Sequence, residues 1–508
     1  MLSEGGIPLL VTLSLAAHSE EPLYIQLYQA LKEEILSGRA APGAKLPSIR
    51  QLAQHLGLSR NPVEAAYDQL AGEGYIVSRP KSGYYTADLE LLDESGLLLS
   101  PAKTPQSTQT APKKASGISD SVPASPRPDR RDPSASPPIR FDIEGMDAEH
   151  FPFPLWRKLT MEVLQPASRE LLGYGDRRGE PGLRELISAY LRQTRGVRCR
   201  PDQVILTSGT QQSMLLVSLL LRGTHPDLAV EAAMDPRIAA LLRQQGFRLH
   251  PVPLEDDGFS VDLLTAKQHR AVYLTPSHQF PYGMVLPAAK RLKLLQWAAA
   301  RGGYIIEDDY DCEFRFEGRP VPALQGMDNA GRVVYLGTFS KSLSPAFRLS
   351  YCVLPPELLG RYETELAWHE SSASRLTQKT MELFMQRGLF ERHIRRMRQH
   401  YRHKRALLLE AVARHMGGQV HLSGSTSGLH VLLAVDSSLP EQVLQRRAAD
   451  AGVEVRTVSS YHMREAGEVL AGSAGGAPET AYVLLGFGGL PEEMIEEGIR
   501  RMAAAWFR

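Results

Sequence analysis

The feature that most constrains this chain is a break in its patterning. From about Asp88 to Arg140 hydrophobic periodicity stops, and residues 101–138 are dominated by Pro, Ser, Ala, Thr and Lys/Arg, with almost no large apolar side chains. Such a stretch cannot bury enough surface to offset the entropy of ordering it. It reads as a Pro/Ser-rich flexible linker over 89–139, stiffened in part by proline. At about 3 Å per extended residue, a linker of this length reaches beyond ~100 Å. A chain of 508 residues is also too long for one ordinary core. The protein is therefore multidomain, with residues 1–88 before the linker and 140–508 after it.

The first part carries helical signals. Leu23, Leu27, Leu31 and Ile35 form one stripe. A turn at Pro42-Gly43 precedes a short helix over Ile49–Leu56, which stops at Gly57. A third helix begins around Ser59–Asn61, where Asn61, Pro62 and Glu64 suggest a capping box. Two β-like pieces follow, at Tyr75–Val77 and Gly83–Thr86. Three helices and a hairpin make a winged helix-turn-helix (α+β). The start of the third helix, Ser59, Arg60 and Asn61, is where such a fold meets base edges, and Arg60 suits a guanine. Lys45, Arg50, Arg79 and Lys81 suit phosphates, the last two from the wing. Residues 1–90 hold seven basic and ten acidic side chains, so any DNA contact must be local. A helical protein-interaction module is the competing reading.

The formal net charge of +1 excludes a globally basic nucleic-acid binder, and the three cysteines, Cys199, Cys312 and Cys352, have no paired spacing. Neither a disulfide framework nor a metal site is expected, and a reducing cytoplasm is the simplest setting. The apolar stretch 7–17 lacks a basic flank, contains Pro8 and is too short to span a bilayer, so it reads as a strand or arm.

After Ile139 short apolar runs alternate with helical stripes. Val204–Thr207, Ala271–Thr275, Tyr304–Ile306, Val333–Leu336 and Leu349–Leu354 read as strands, with helices such as 211–221 and 288–301 between them. This is an α/β pattern with a mainly parallel sheet, whose ligands bind where strands give way to loops and helix N-termini.

Three stations of chemistry lie at such places. Thr207-Ser-Gly-Thr-Gln-Gln212 ends a strand and opens a helix, an arrangement that cradles an anion; alone it is a weak signal. Glu307-Asp-Asp-Tyr-Asp311 follows another strand. An Asp there can pair with a pyridine nitrogen and Tyr310 with a ring oxygen, although a solvated acidic turn is the plain alternative. Thr338-Phe-Ser-Lys341 follows a third, with the always-charged Arg348 seven residues on. Together they are what pyridoxal 5'-phosphate (PLP) needs: a lysine for the Schiff base, hydroxyls and an arginine for the phosphate, a carboxylate for the ring nitrogen.

These runs, with Leu172-Gly-Tyr-Gly-Asp-Arg-Arg-Gly179 and Thr275-Pro-Ser-His-Gln-Phe-Pro-Tyr-Gly283, resemble the fold-type-I aminotransferases. Together with Lys45-Leu-Pro-Ser-Ile-Arg-Gln-Leu-Ala53 and Leu58-Ser-Arg-Asn61, the chain resembles the MocR/GabR subfamily of GntR transcription regulators. The resemblance implies a winged helix-turn-helix joined to a type I aminotransferase-like, PLP-dependent transferase fold. It implies Lys341 as the Schiff-base and catalytic lysine, Asp308 as the pyridinium partner and Tyr310 on the 3-oxygen. Gly209, Thr210, Gln211, Thr338, Ser340 and Arg348 would surround the phosphate. It also implies a homodimer.

The sequence departs from the pattern in places. Phe280 stands where many relatives have an Asn that touches the ring oxygen, and Met234-Asp-Pro-Arg-Ile238 where they carry a stacking aromatic. Leu484 stands where aminotransferases clamp the substrate carboxylate with an arginine, and Arg456 lies nearby. The expected function is a PLP-dependent regulator that binds double-stranded DNA, with an amine, an amino acid or PLP as effector and no membrane partner. At most residual transamination is expected. An aminotransferase with an appended DNA-binding module is the alternative.

Overall fold

The computed structural model describes residues 22–37, 39–79, 82–87, 138–165, 169, 171–317, 322–437, 439–463 and 480–507. The stretch 7–17, Lys81 and all of the expected linker except its last two residues lie outside them. The chain divides into two units, taken separately below.

In the N-terminal unit, α1 (Leu23–Leu36) buries Leu27, Leu31 and Ile35. Leu23, expected on the same stripe, is 40% exposed. A Ser48/Gln51 capping box opens α2 (Ile49–Leu56), and Gly57, with φ 65°, closes it. Helix α3 (Arg60–Gly72) starts at Arg60 rather than after Asn61. Asn61 is therefore not its cap, and Pro62 sits inside the first turn, where its missing N–H costs nothing because those groups have no partner within the helix. Strands β1 (Ile76–Arg79) and β2 (Gly83–Thr86) pair antiparallel as the wing. Thr86 ties the wing to the turn before α2: its Oγ1 donates to Ala41 O (2.6 Å) and accepts from Ala44 N (2.8 Å).

The second unit is built on a seven-stranded sheet. In spatial order its strands are Val204–Thr207, Ser350–Val353, Val333–Thr338, Tyr304–Asp309, Ala271–Leu274, Asp227–Glu231 and Arg248–Val252. All pairs are parallel except those of Ser350–Val353, which runs against both its neighbours. Alternate residues go to opposite faces. Ile205, Val230, Tyr273, Ile306, Val334 and Cys352 join the core on one side. Leu206, Tyr335 and Val353, with Val272 and Ile305, pack on the other. Both faces are covered, which is why these strands read as continuous apolar runs. Two strands outrun the sequence reading, one to Asp309 and one to Thr338. Glu307, Asp308 and Asp309 are consequently buried strand residues, not a solvated turn.

Helix Leu389–Met416 leads to a four-stranded antiparallel sheet of Val420–Ser423, His430–Val435, Ala481–Gly486 and Arg456–Thr457. Ile139, at the end of the expected linker, pairs with Val453 in a separate two-stranded ladder. Among the described residues no helix is long and apolar enough to cross a membrane.

Candidate functional site

Register brings the three stations together. Thr207 pairs with Ser350 and Ser350 with Thr338, while Asp308 lies opposite Leu336 on the adjoining strand. The segments that follow Thr207 and Thr338, and the end of Tyr304–Asp309, therefore share the carboxyl edge of the sheet, the usual place for a ligand in this architecture.

Gly209 precedes the helix Thr210–Leu221 with φ 111°, a conformation that favours glycine. The first N–H groups of that helix, at Thr210 and Gln211, point out of its positive end. A Cβ at Gly209 would overlap the guanidinium of Arg348. Arg348 itself has φ 47°, the sole positive φ of a non-glycine among the described residues. Thr338 Oγ1 accepts from Ser350 Oγ (2.7 Å) and from Ser340 N (3.1 Å), and donates to Ser340 Oγ (2.9 Å). A guanidinium, a helix N-terminus and a hydroxyl chain thus converge, with glycine leaving the room between them. Such an arrangement is chemically suited to a dianion.

The acidic run resolves into different fates. Glu307 accepts from the N–H groups of Leu324 and Gln325, at 2.8 and 2.9 Å. Asp309 is locked by Arg195 Nε (2.8 Å) and Tyr335 Oη (2.7 Å). Asp308 is the carboxylate left over. Tyr273 Oη donates to its Oδ2 at 2.7 Å, and its Oδ1 is buried with no hydrogen-bond partner. Burial, reinforced by Asp309, pushes Asp308 up to about 7, against the opposing pull of Tyr273. A cationic ring N–H would satisfy the orphan oxygen and restore the charge.

Lys341 Nζ donates to Ile143 O at 2.6 Å. Burial lowers its pKa from the ordinary lysine value, against the pull of Asp311, Glu144 and Asp142, which favours a neutral, nucleophilic amine. Tyr310 Oη lies 3.0 Å from His278 Nδ1, and burial with Asp311 holds its proton far above the usual phenol range. The residues present fit PLP: an orphan buried carboxylate oxygen, a dianion cradle and an amine kept below its usual pKa.

Leu484 is fully buried in an apolar cluster with Ile143, Leu432, Val458 and Tyr461. Arg456 pairs with it in register and is exposed. Arg237, in the Met234–Ile238 segment, pairs its guanidinium with Glu144 (2.9 Å) and Asp235 (2.6 Å). Sequence reasoning missed Tyr273, Asp311 and His278, which are recognisable only by their neighbours. One His/carboxylate cluster among the described residues, Asp147, His150 and His400, brings three potential metal-ligand atoms together. The buried Lys404 ammonium already lies 2.7 Å from Asp147 Oδ2 and opposes a second cation there.

In the N-terminal unit Arg50, Ser59, Arg60 and Asn61 are exposed, at the starts of α2 and α3. Arg79 lies over the Tyr85 ring, 4.4 Å from its centroid, and Lys45, also exposed, is 5.9 Å from the same ring.

Residues 23–85 match the family described as "Bacterial regulatory proteins, gntR family", and residues 142–484 match "Aminotransferase class I and II". The chain is 38% identical to "Uncharacterized HTH-type transcriptional regulator YdeL" of Bacillus subtilis, over 96% of this chain and 97% of that relative. It is 32% identical to "Probable rhizopine catabolism regulatory protein MocR" of Rhizobium meliloti, over 96% and 94%. Among solved structures, the kynurenine aminotransferase of Pyrococcus horikoshii, determined with PMP, superposes with TM-score 0.64 at 25% identity, over 73% of this chain and 91% of that one. Fold, site and relatives agree: the chain belongs to the MocR-type, gntR-family transcription regulators, in which a helix-turn-helix DNA-binding domain is joined to an aminotransferase-like domain.

Proposed function

We propose that the aminotransferase-like domain binds PLP covalently through Lys341, and that PLP itself or an effector amine or amino acid acting at this site controls DNA binding. The observation that carries the reading is Asp308, whose buried Oδ1 has no partner while Tyr273 fixes Oδ2. PLP supplies an electrophilic carbon on an electron-withdrawing ring. Asp308 holds the ring nitrogen protonated, and Tyr310 addresses the ring oxygen. Gly209, Thr210, Gln211, Thr338, Ser340 and Arg348 hold the phosphate. Lys341 would supply the nitrogen that holds the cofactor, the place for which an effector amine would compete.

The apolar packing of Leu484 supports at most residual transamination. Leu172 and Tyr174, 89% and 94% exposed, fit burial against a second copy, which supports a homodimer. Ser59, Arg60 and Asn61 read bases, Lys45, Arg50, Arg79 and Lys81 contact phosphates, and the setting is the cytoplasm. An effector acts only through different affinities for two conformations of the domain. Residues 89–139 tether the two parts of this reading.

The test is the near-visible absorption spectrum of the protein with PLP, then with a panel of amines and amino acids, alongside DNA binding. A band that one compound shifts, with a parallel change in DNA affinity, supports an amine effector. Lys341→Ala is expected to remove the band and leave the fold intact. An unchanged band in that variant overturns the lysine assignment.

A further inference from the structure

His278 has no part in the reading above, yet it sits between two groups of the site. Its Nδ1 lies 2.8 Å from Asp311 Oδ2 and 3.0 Å from Tyr310 Oη, and its Nε2 is buried without a partner. One ring nitrogen carries either a proton or a lone pair, so the two neighbours cannot both be served as acceptor and donor.

Two costs decide between the tautomers. With the proton on Nε2, a buried N–H has no acceptor, and the Nδ1 lone pair faces the lone pairs of Asp311. With the proton on Nδ1, Asp311 accepts it, and Nε2 is a bare acceptor, the cheaper group to leave alone. Asp311 therefore fixes Nδ1–H. That hydrogen also faces Tyr310 Oη, so Tyr310 cannot spend its own proton on the imidazole. The proton stays available to the ring oxygen.

The pair is rigidly housed. A Cβ at Gly428 would overlap both His278 Cε1 and Asp311 Oδ2, and the φ of 76° there suits glycine. The His430 ring packs 5.2 Å from His278 and donates from Nε2 to Pro281 O (3.2 Å). Burial lowers the pKa of His430 to about 3, so it brings no charge. Arg195 and Asp309, which share a small cavity wall with His278, neutralise each other at 2.8 Å, and Cys312 and the Arg315 guanidinium line the same cavity.

We propose that His278, locked by Asp311, is a positioning residue that keeps Tyr310 a hydrogen-bond donor to the ring oxygen of the cofactor; this rests on the PLP reading above. A donor from Tyr310 on that oxygen would disfavour its protonated form when the cofactor is bound, so the near-visible band would titrate at lower pH.

The experiment is a pH titration of that band in the PLP-loaded full chain and in His278→Phe, Tyr310→Phe and the double variant. Each single variant is expected to raise the midpoint by about 0.5 to 1 pH unit, the worth of one hydrogen bond. The double variant is expected to move no further than Tyr310→Phe. A His278→Phe midpoint equal to the wild type, or additive shifts in the double variant, overturns the role. Should His278→Phe fail to fold, Asp311→Asn takes its place, with an upward shift expected only when Tyr310 is present. The absence of any band in the wild type after PLP is added sinks the cofactor reading itself, which separates that failure from a failure of His278.

Discussion

Arg348 occupies the space that any side chain at Gly209 would need. The two residues are far apart in sequence, and both have positive φ, 111° and 47°. Such backbone is kept only where the surroundings over-determine it. Here it lets a guanidinium lie against a helix N-terminus, where a dianion placed at that end would meet both.

Gly209→Ala should therefore weaken PLP binding about tenfold or more, roughly 1.4 kcal/mol, because alanine is strained at this φ and displaces Arg348. A PLP titration followed by absorbance checks this. Wild-type affinity in the variant would mean that the phosphate lies elsewhere.

Asp308 makes cofactor-free stability depend on pH. Its folded pKa is raised to about 7, so the fold favours the protonated form. That contribution is fully present below about pH 4 and lost as pH rises through about 7. Glu231, Glu307 and Glu313 are raised as well and act in the same direction. Asp308→Asn should thus flatten, without abolishing, the fall in melting temperature of the PLP-free protein between about pH 5 and 8. The same variant should bind PLP more weakly, since a neutral amide cannot hold the ring nitrogen charged. Thermal melts at several pH values, with and without PLP, test both outcomes.

Arg60→Ala is expected to cost specific operator binding about 1–3 kcal/mol. Arg60 is exposed and opens α3. Fluorescence anisotropy on operator and random DNA discriminates its role: equal losses on both would make Arg60 a phosphate contact.

Lys404→Met should destabilise the protein by about 3 kcal/mol, the scale for stranding one partner of a buried ion pair. Lys404 Nζ donates to Asp147 Oδ2 (2.7 Å) and to Gly488 O (3.1 Å). Together with His150 and His400, it keeps Asp147 well below the usual carboxylate range despite burial. Denaturant unfolding of the PLP-free protein measures the loss; a change under about 0.5 kcal/mol would show that the histidines alone satisfy Asp147.

How much of this was legible in the chain differs from element to element. The helices 23–36 and 49–56 and the apolar strands were plain, because periodicity and glycine or proline punctuation are local properties. Helix α3 begins within the expected Ser59–Asn61, at Arg60, but Asn61-Pro62 mimics a cap that the first turn does not use. The acidic run was read as following its strand. Carboxylates look like loop residues until the partners that permit their burial, Arg195, Tyr273 and Tyr335, arrive from other parts of the chain.

By itself, the sequence determined the winged helix, the α/β pattern and the lysine with its hydroxyl neighbours. Each of these is written in residues that are consecutive or a few positions apart. Only the tertiary structure decided which of three adjacent acids is free, that Arg348 and Gly209 share one space, and that His278 stands between Asp311 and Tyr310. Alternate strand residues face opposite sides of the sheet, so neighbours in sequence become strangers in space. Their partners come from other strands and helices, and the energies that sort them, burial against pairing, exist only once those elements have met.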